Sequence, residues 1–456
     1  MISKKRIFNL KTEAEEIMKI TFMGAGSTIF VRNIIGDCMT VDSLKNSVFA
    51  LYDIDGERLK ESETILSAMK ETMKVDCKIE CYLGVENRKD ALRGANFVVN
   101  AIQVGLYDPC TIIDFEVPKK YGLRQTIGDT LGIGGIMRGL RTINVLEDFA
   151  RDIEEVCPDA LFLNYTNPMA ILSGYMQRYT DVKTVGLCHS VQVCSKDIVG
   201  WTGLGDKIDG RQDLIAGINH MAWLLEIRDR DGNDLYPEIR KRAIKAVETE
   251  TTGEMVRFDY IRNFGYFVTE SSEHNAEYNP FYIKSKYPEL IKKYRIPLDE
   301  YPRRCVEQIE NWKKEYEQLK NGGTKEHTRS HEYGSYIMEA MTVDKPFKFG
   351  GNVLNDEGYI SNLPREACVE VPVYADRSGL HPQHIGALPV QCAAMNMTNI
   401  NPQLLTIEAA VTKKKEHIYQ AAMLDPHTAA ELDIDTIKKM VDDLIEAHGD
   451  YLPKYN

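Results

Sequence analysis

Two stretches of the chain bring together side chains that can hold a metal ion. Cys188-His189-Ser190 follows the apolar run 184–187, and Asn219-His220 ends the run 214–220. A thiolate and an imidazole presented from two strand ends can bind one divalent cation. Asn167, within Asn164-Tyr165-Thr166-Asn167-Pro168, stands at a third such end. The same residues also fit a buried thiol and a hydrogen-bonded core histidine. Asp129 opens the glycine-rich segment 129–135, where it can either cap a helix or aim a charge into a cleft. Residues 265–274, Gly-Tyr-Phe-Val-Thr-Glu-Ser-Ser-Glu-His, are dense in polar and aromatic groups. That density suits sugar recognition and equally an exposed loop. His327, His331 and Glu332 form a further cluster, read as a solvated helix face.

A second signal concerns a nucleotide. Gly24-Ala25-Gly26-Ser27 follows the short run 19–23 and opens a helix-like segment. Glycines here let the backbone approach a pyrophosphate, whose charge a helix N-terminus favours. The third glycine of the dinucleotide fingerprint is absent, since Ile29 holds that place. Asp53, closing the run 47–52, supplies the carboxylate that accepts ribose hydroxyls and repels a 2′-phosphate, so NAD is favoured over NADP. Asp55 is the competing acid, and Asn100 and Gln103 can line the nicotinamide side.

These positions need elements to hold them. Apolar runs at 19–23, 47–52, 95–104, 160–163 and 184–187 alternate with helical spacing at 57–74 and 135–156. Strand, helix, strand, helix is the pattern of a parallel sheet with crossover helices. Ligands on such sheets sit beyond the carboxyl ends of the strands, where the residues above lie. After about residue 210 the pattern changes. Residues 214–220 and 221–228 read as paired strands, 288–321 as a charged helix, 346–375 as antiparallel strands and 402–447 as helices. The expected architecture is α/β, a Rossmann-type parallel sheet with a C-terminal α+β substrate domain, like lactate and malate dehydrogenases. Its expected divisions are an extension over 1–18, an NAD-binding domain over 19–210 and a substrate, metal and oligomerisation domain over 211–456.

Composition narrows the function classes. A chain of 456 residues, 43% hydrophobic and 27% charged, is globular and long enough for a large core. A net charge of −12 argues against nucleic acid or an anionic membrane as partner. No run of about 18 apolar residues is present. Ten cysteines without a CxxC pair suggest reduced thiols and a cytoplasmic location.

The blocks ITFMGAGST, ALYDID, NAIQVG, GLRQTIGDTLGIGG, FLNYTNPMA, GLCHSVQ, AGINHMAW and GYFVTESSEH occur in one order from about residue 19 nearly to the C-terminus. In these the sequence resembles glycoside hydrolase family 4, the NAD- and metal-dependent glycosidases. The Cys-His-Ser-Val form at 188–191 resembles the α-galactosidase (melibiase) branch. The resemblance implies a mechanism apart from the usual paired carboxylates. In the family, NAD takes hydride from C3 of the sugar, a base removes the acidified C2 proton, and the C1–O bond breaks by elimination. Water then adds and the hydride returns. By position, Cys188 and His220 would ligate the metal, Mn2+ or another divalent ion, and Asn167 would contact the sugar. The C2 base in relatives is a tyrosine; Tyr266 is the first choice and Tyr260 the second. Some branches carry Asp after the metal cysteine, whereas His189 stands here, so the leaving-group acid is either His189 or Asp129. Gly24, Gly26, Ser27, Asp53, Asn100 and Gln103 would hold NAD. Relatives suggest a homodimer or homotetramer acting on a small α-galactoside. The competing readings are an α-glucosidase or α-glucuronidase of the same family, an NAD-dependent hydroxyacid dehydrogenase, and an NAD-sensing binding protein.

Overall fold

The structure, a computed structural model, describes residues 17–320 and 327–456. Most of the expected extension, residues 1–16, lies outside the described residues. Among the described residues no helix is long and apolar enough to cross a membrane.

The first half of the chain gives six strands: β1 (Lys19–Met23), β2 (Val48–Asp53), β3 (Lys78–Leu83), β4 (Phe97–Asn100), β5 (Leu161–Asn164) and β6 (Lys183–Leu187). They pair in parallel in the order β3-β2-β1-β4-β5-β6. This is the doubly wound dinucleotide-binding arrangement, with its crevice where the order reverses between β1 and β4. β4 and β5 are buried along their whole length, as parallel strands covered on both faces must be. β3 closes one edge, where its charged Lys78 and Glu80 blunt it as a pairing template.

The second half adds β7 (Gln212–Ile218), β8 (Met221–Arg228), β9 (Phe267–Val268), β10 (Phe347–Leu354), β11 (Cys368–Asp376) and β12 (Gly379–Pro382). These are antiparallel, as expected for 214–228 and 346–375, and they extend the same sheet in the order β6-β10-β11-β7-β8-β9. Asn352 of β10 pairs with Gly186 of β6, and Glu370 of β11 pairs with Gly217 of β7. The late pair β10–β11 is thus inserted between strands made much earlier. Sheet and core both run past residue 210 without interruption.

Helices cover both faces. Thr28–Thr40 and Gly56–Met73 follow β1 and β2. On the opposite side the 25-residue helix Gly132–Val156 packs Ile136, Leu140 and Ile143 into a core shared with Ile418, Met440 and Leu444 of the C-terminal helices. The fold class is the α/β one expected.

Candidate active site

The nucleotide cradle is built from three strand ends. Gly24, leaving β1, takes φ +85, and a Cβ there would lie 2.9 Å from the carbonyl of Ala101. Only glycine allows both the left-handed backbone and that approach. Gly24 and Ala25 donate their N–H groups to the Tyr52 carbonyl, each at 3.0 Å. The helix Thr28–Thr40 starts immediately after, with neither a side-chain cap from Ser27 nor an acidic residue in its first turn. Its N-terminal amides therefore suit a phosphate. Asp53 accepts the Gly26 N–H at 2.6 Å and the Asp55 N–H at 2.9 Å. These bonds orient its carboxylate and leave lone pairs for ribose hydroxyls. The competing Asp55 caps the helix Gly56–Met73 through Glu57 and Arg58.

On the other side of the crevice, Asn100 is buried and donates to Asn164 Oδ1 (2.9 Å) and Thr166 Oγ1 (3.2 Å). Its Oδ1, the Nε2 of Gln103 and the Oδ1 of Asn167 are buried without protein partners. Such atoms call for a ligand or water partner, so these residues fit a bound dinucleotide and sugar.

Next to this crevice three loops converge. Cys188 directly follows β6. His220 sits in the two-residue turn between β7 and β8 at φ 63, and Glu270 follows β9 at φ 65. Left-handed non-glycine residues are uncommon, and here two of them turn side chains toward one point. Donor atoms of Cys188, His220 and Glu270 all lie within 4.8 Å of one another. His220 Nε2 faces Glu270 Oε2 at 3.3 Å, while its Nδ1 is 3.3 Å from Tyr278 Oη. Thiolate, imidazole and carboxylate form a donor set suited to a borderline divalent ion, and the Tyr278 contact fixes the imidazole as an outer partner would. Burial pulls the His220 imidazole down, but Cys188 and Glu270 outweigh it and raise it to about 10. Burial pushes Glu270 up, yet His274 and His220 bring it down to about 2. A cation entering here would displace the imidazole proton.

Further polar groups surround the cluster. His274 Nδ1 lies 3.5 Å from Glu270 Oε1, and its Nε2 lies 4.0 Å from Asp129 Oδ1. Asp129 is buried and accepts from Thr130 Oγ1 at 2.7 Å. It does not cap the helix Gly132–Val156, whose capping position is Leu131, so its charge faces the cleft. His189 neighbours Cys188, but its Nε2 meets Glu332 Oε2 at 2.6 Å, and its ring lies against the Phe30–Tyr165 pair. Glu332 is therefore no part of a solvated helix face. Nor is His327, whose Nε2 lies 2.7 Å from the buried Asp37.

The candidate tyrosines have different surroundings. Tyr266 packs against Tyr236 and beneath the Arg240 guanidinium, on the helix Tyr236–Glu248. Tyr260 is buried against Trp223 and donates to the Asn275 carbonyl. The tyrosine brought to the cluster is Tyr278, which is fully buried. Burial first, then the charges of Asp129, Glu277 and Glu270, hold its phenol well above the ordinary value. Glu270, His274 and Tyr278 are spaced four residues apart: Glu270 precedes the helix Ser272–Glu277, His274 lies within it and Tyr278 follows it. That spacing is visible in the sequence and points to Glu270 and His274, but Tyr266 shares it, so it does not single out Tyr278.

Comparison with known proteins agrees with this geometry. Residues 19–203 match the model of Family 4 glycosyl hydrolase, and residues 215–428 match the Family 4 glycosyl hydrolase C-terminal domain. An alpha-galactosidase of Bacillus subtilis is 60% identical over 96% of this chain and 99% of its own length. An alpha-galactosidase of Rhizobium meliloti is 33% identical over 96% of this chain and 89% of its own. Among solved structures, a 6-phospho-alpha-glucosidase from gut microorganisms, in complex with NAD and Mn2+, superposes with a TM-score of 0.79. That likeness covers 97% of this chain and 100% of the other at 20% identity, and it shows a shared fold.

Proposed function

Since the chain belongs to family 4 of the glycosyl hydrolases, we propose that it hydrolyses α-galactosides with NAD and a divalent ion, Mn2+ first among them, as cofactors. The observation that supports this most is the convergence of Cys188, His220 and Glu270 beside the Gly24–Asp53 cradle. The high identity to alpha-galactosidases supports the sugar. So does the Asp129 carboxylate beside His274, which favours a neutral sugar over a uronide or a phosphate ester.

When bound, NAD would supply reversible hydride acceptance at C3, and the metal would supply Lewis acidity at the neighbouring sugar oxygens. The protein's own groups do the rest. Cys188, His220 and Glu270 hold the ion. Asp53 accepts the ribose hydroxyls and disfavours a 2′-phosphate. Asn100 and Gln103 line the nicotinamide side, and Asn167 Oδ1 takes a sugar hydroxyl. Tyr278 Oη, in contact with His220, is our choice over Tyr266 for taking the C2 proton, and its raised pKa means it requires a positive charge nearby to do so. His189, oriented by Glu332, and Asp129, beside His274, are the two donors for the departing oxygen.

The test is a panel of p-nitrophenyl α-galactoside, α-glucoside and α-glucuronide, assayed with NAD+, Mn2+ and thiol, each omitted in turn. The expected result is galactoside cleavage that needs both cofactors and yields no net NADH. Full activity after exhaustive chelation, or net NADH from a hydroxyacid with every glycoside intact, would overturn the reading.

A further inference from the structure

Glu277 has no place in the chemistry above, yet its carboxylate links two segments of the site. It is 2% exposed and ends the helix Ser272–Glu277. Its Oε2 accepts the Thr126 N–H at 2.7 Å and its Oε1 accepts the Gly128 N–H at 2.8 Å. The Ile127 N–H reaches both oxygens, at 3.2 and 3.3 Å. Three successive backbone N–H groups thus converge on one anion, a nest of the kind that binds phosphates elsewhere. Gly128 takes φ 58 within it. A further bond, from Thr126 Oγ1 to the Glu273 carbonyl at 2.7 Å, ties the same two segments.

The residues on either side of this clasp matter. The clasped loop continues into Asp129 and Thr130, and Asp129 faces His274. The residue after Glu277 is Tyr278, whose hydroxyl meets His220. One short stretch of backbone therefore sets the loop acid with one side chain and the ligand histidine with the next. We propose that Glu277 is a positioning residue, whose carboxylate fixes Asp129 relative to Tyr278 and His220. The role rests on the activity proposed above. A tie needed only for folding could be made by any acceptor. Three donors in a row require two acceptor oxygens and exclude a donor, which singles out a carboxylate.

E277Q is the informative change, because it keeps the shape but turns an NH2 toward backbone N–H groups. In the NAD- and Mn2+-loaded enzyme, kcat on p-nitrophenyl α-galactoside should fall about 100-fold, as for a misplaced catalytic group, with NAD+ affinity unchanged. The losses of D129N and E277Q should combine to less than their product in the double variant D129N/E277Q, because Glu277 acts in part through Asp129. Two readouts do not depend on turnover. Amide exchange at 126–128 should accelerate locally, and Mn2+ affinity, followed by its EPR signal, should weaken about 10-fold through the Tyr278–His220 contact. E277D, which keeps the charge and withdraws it by one methylene, should show the same local exchange if E277Q does not fold. Losses that multiply in the double variant, or unchanged exchange at 126–128, would overturn the positioning role. A wild-type enzyme that cleaves no glycoside would defeat the proposed function alone, because exchange and Mn2+ binding still report on the clasp.

Discussion

The imidazole of His189 shows how one neighbour sets a charge. Its hydrogen bond to Glu332 raises its pKa above the ordinary 6.5, with burial opposing. A histidine raised in the folded state lends stability that is complete below its unfolded value and is lost as pH rises through the folded one. E332Q should therefore lower Tm more at pH 6 than at pH 9. The ring side chain is 55% exposed, so the effect stays at or below about 1 kcal/mol. Equal shifts at both pH values would mean the pair is uncharged. At Cys188 the expectation is different. C188A should weaken Mn2+ binding by more than the about 10–100-fold typical of outer partners, leaving NAD+ affinity intact; calorimetry with each ligand reads both. Cys188 and His220 could be picked out in the sequence because each stands just beyond an apolar run. Tyr278 was harder, because nothing local separates it from Tyr266 or Tyr260. The difference arises from the helical turn between residues 272 and 277, which rotates one tyrosine inward and leaves the others packed on neighbouring elements.

At the level of elements, the parallel half follows from its apolar runs, each of which falls on a strand of the sheet. The turn after β1 is its most constrained piece. G24A combines a left-handed φ with a Cβ 2.9 Å from backbone atoms that cannot move aside. It should lower Tm, by at least the about 1 kcal/mol of the φ penalty, and weaken NAD+ binding as Ala101 shifts. Unchanged NAD+ affinity would show that the pyrophosphate does not approach there. The hairpin β7–β8 was also legible, but not its neighbours. Nothing in residues 347–376 states that they pair with β6 on one side and β7 on the other. That choice is made by contacts more than 150 residues apart, where local pattern is silent. The strap 327–332 was misread for a similar reason, since its partners Asp37 and His189 are distant in sequence.

Across the whole molecule, buried charge ties the C-terminus to the cofactor side. Arg141 is fully buried, grips Asp114 with two bonds (3.1 and 2.7 Å) and donates to the Val104 carbonyl beyond β4. His448, ending the last long helix, meets the same carboxylate at 2.9 Å. D114N would leave the guanidinium without its counter-charge, at a cost of about 3–5 kcal/mol; a Tm within a degree of wild type would contradict that. The order of the strands carries one more consequence, for synthesis. The middle of the sheet is made last: a nascent chain has the open flanks of β6 and β7 in hand long before β10 and β11 emerge to close them. At ribosomal speeds of about 5–20 residues per second those two edges stay unpaired for about 8–30 seconds. Fragments that end before residue 347 are therefore the species a cell's chaperones would have to shield.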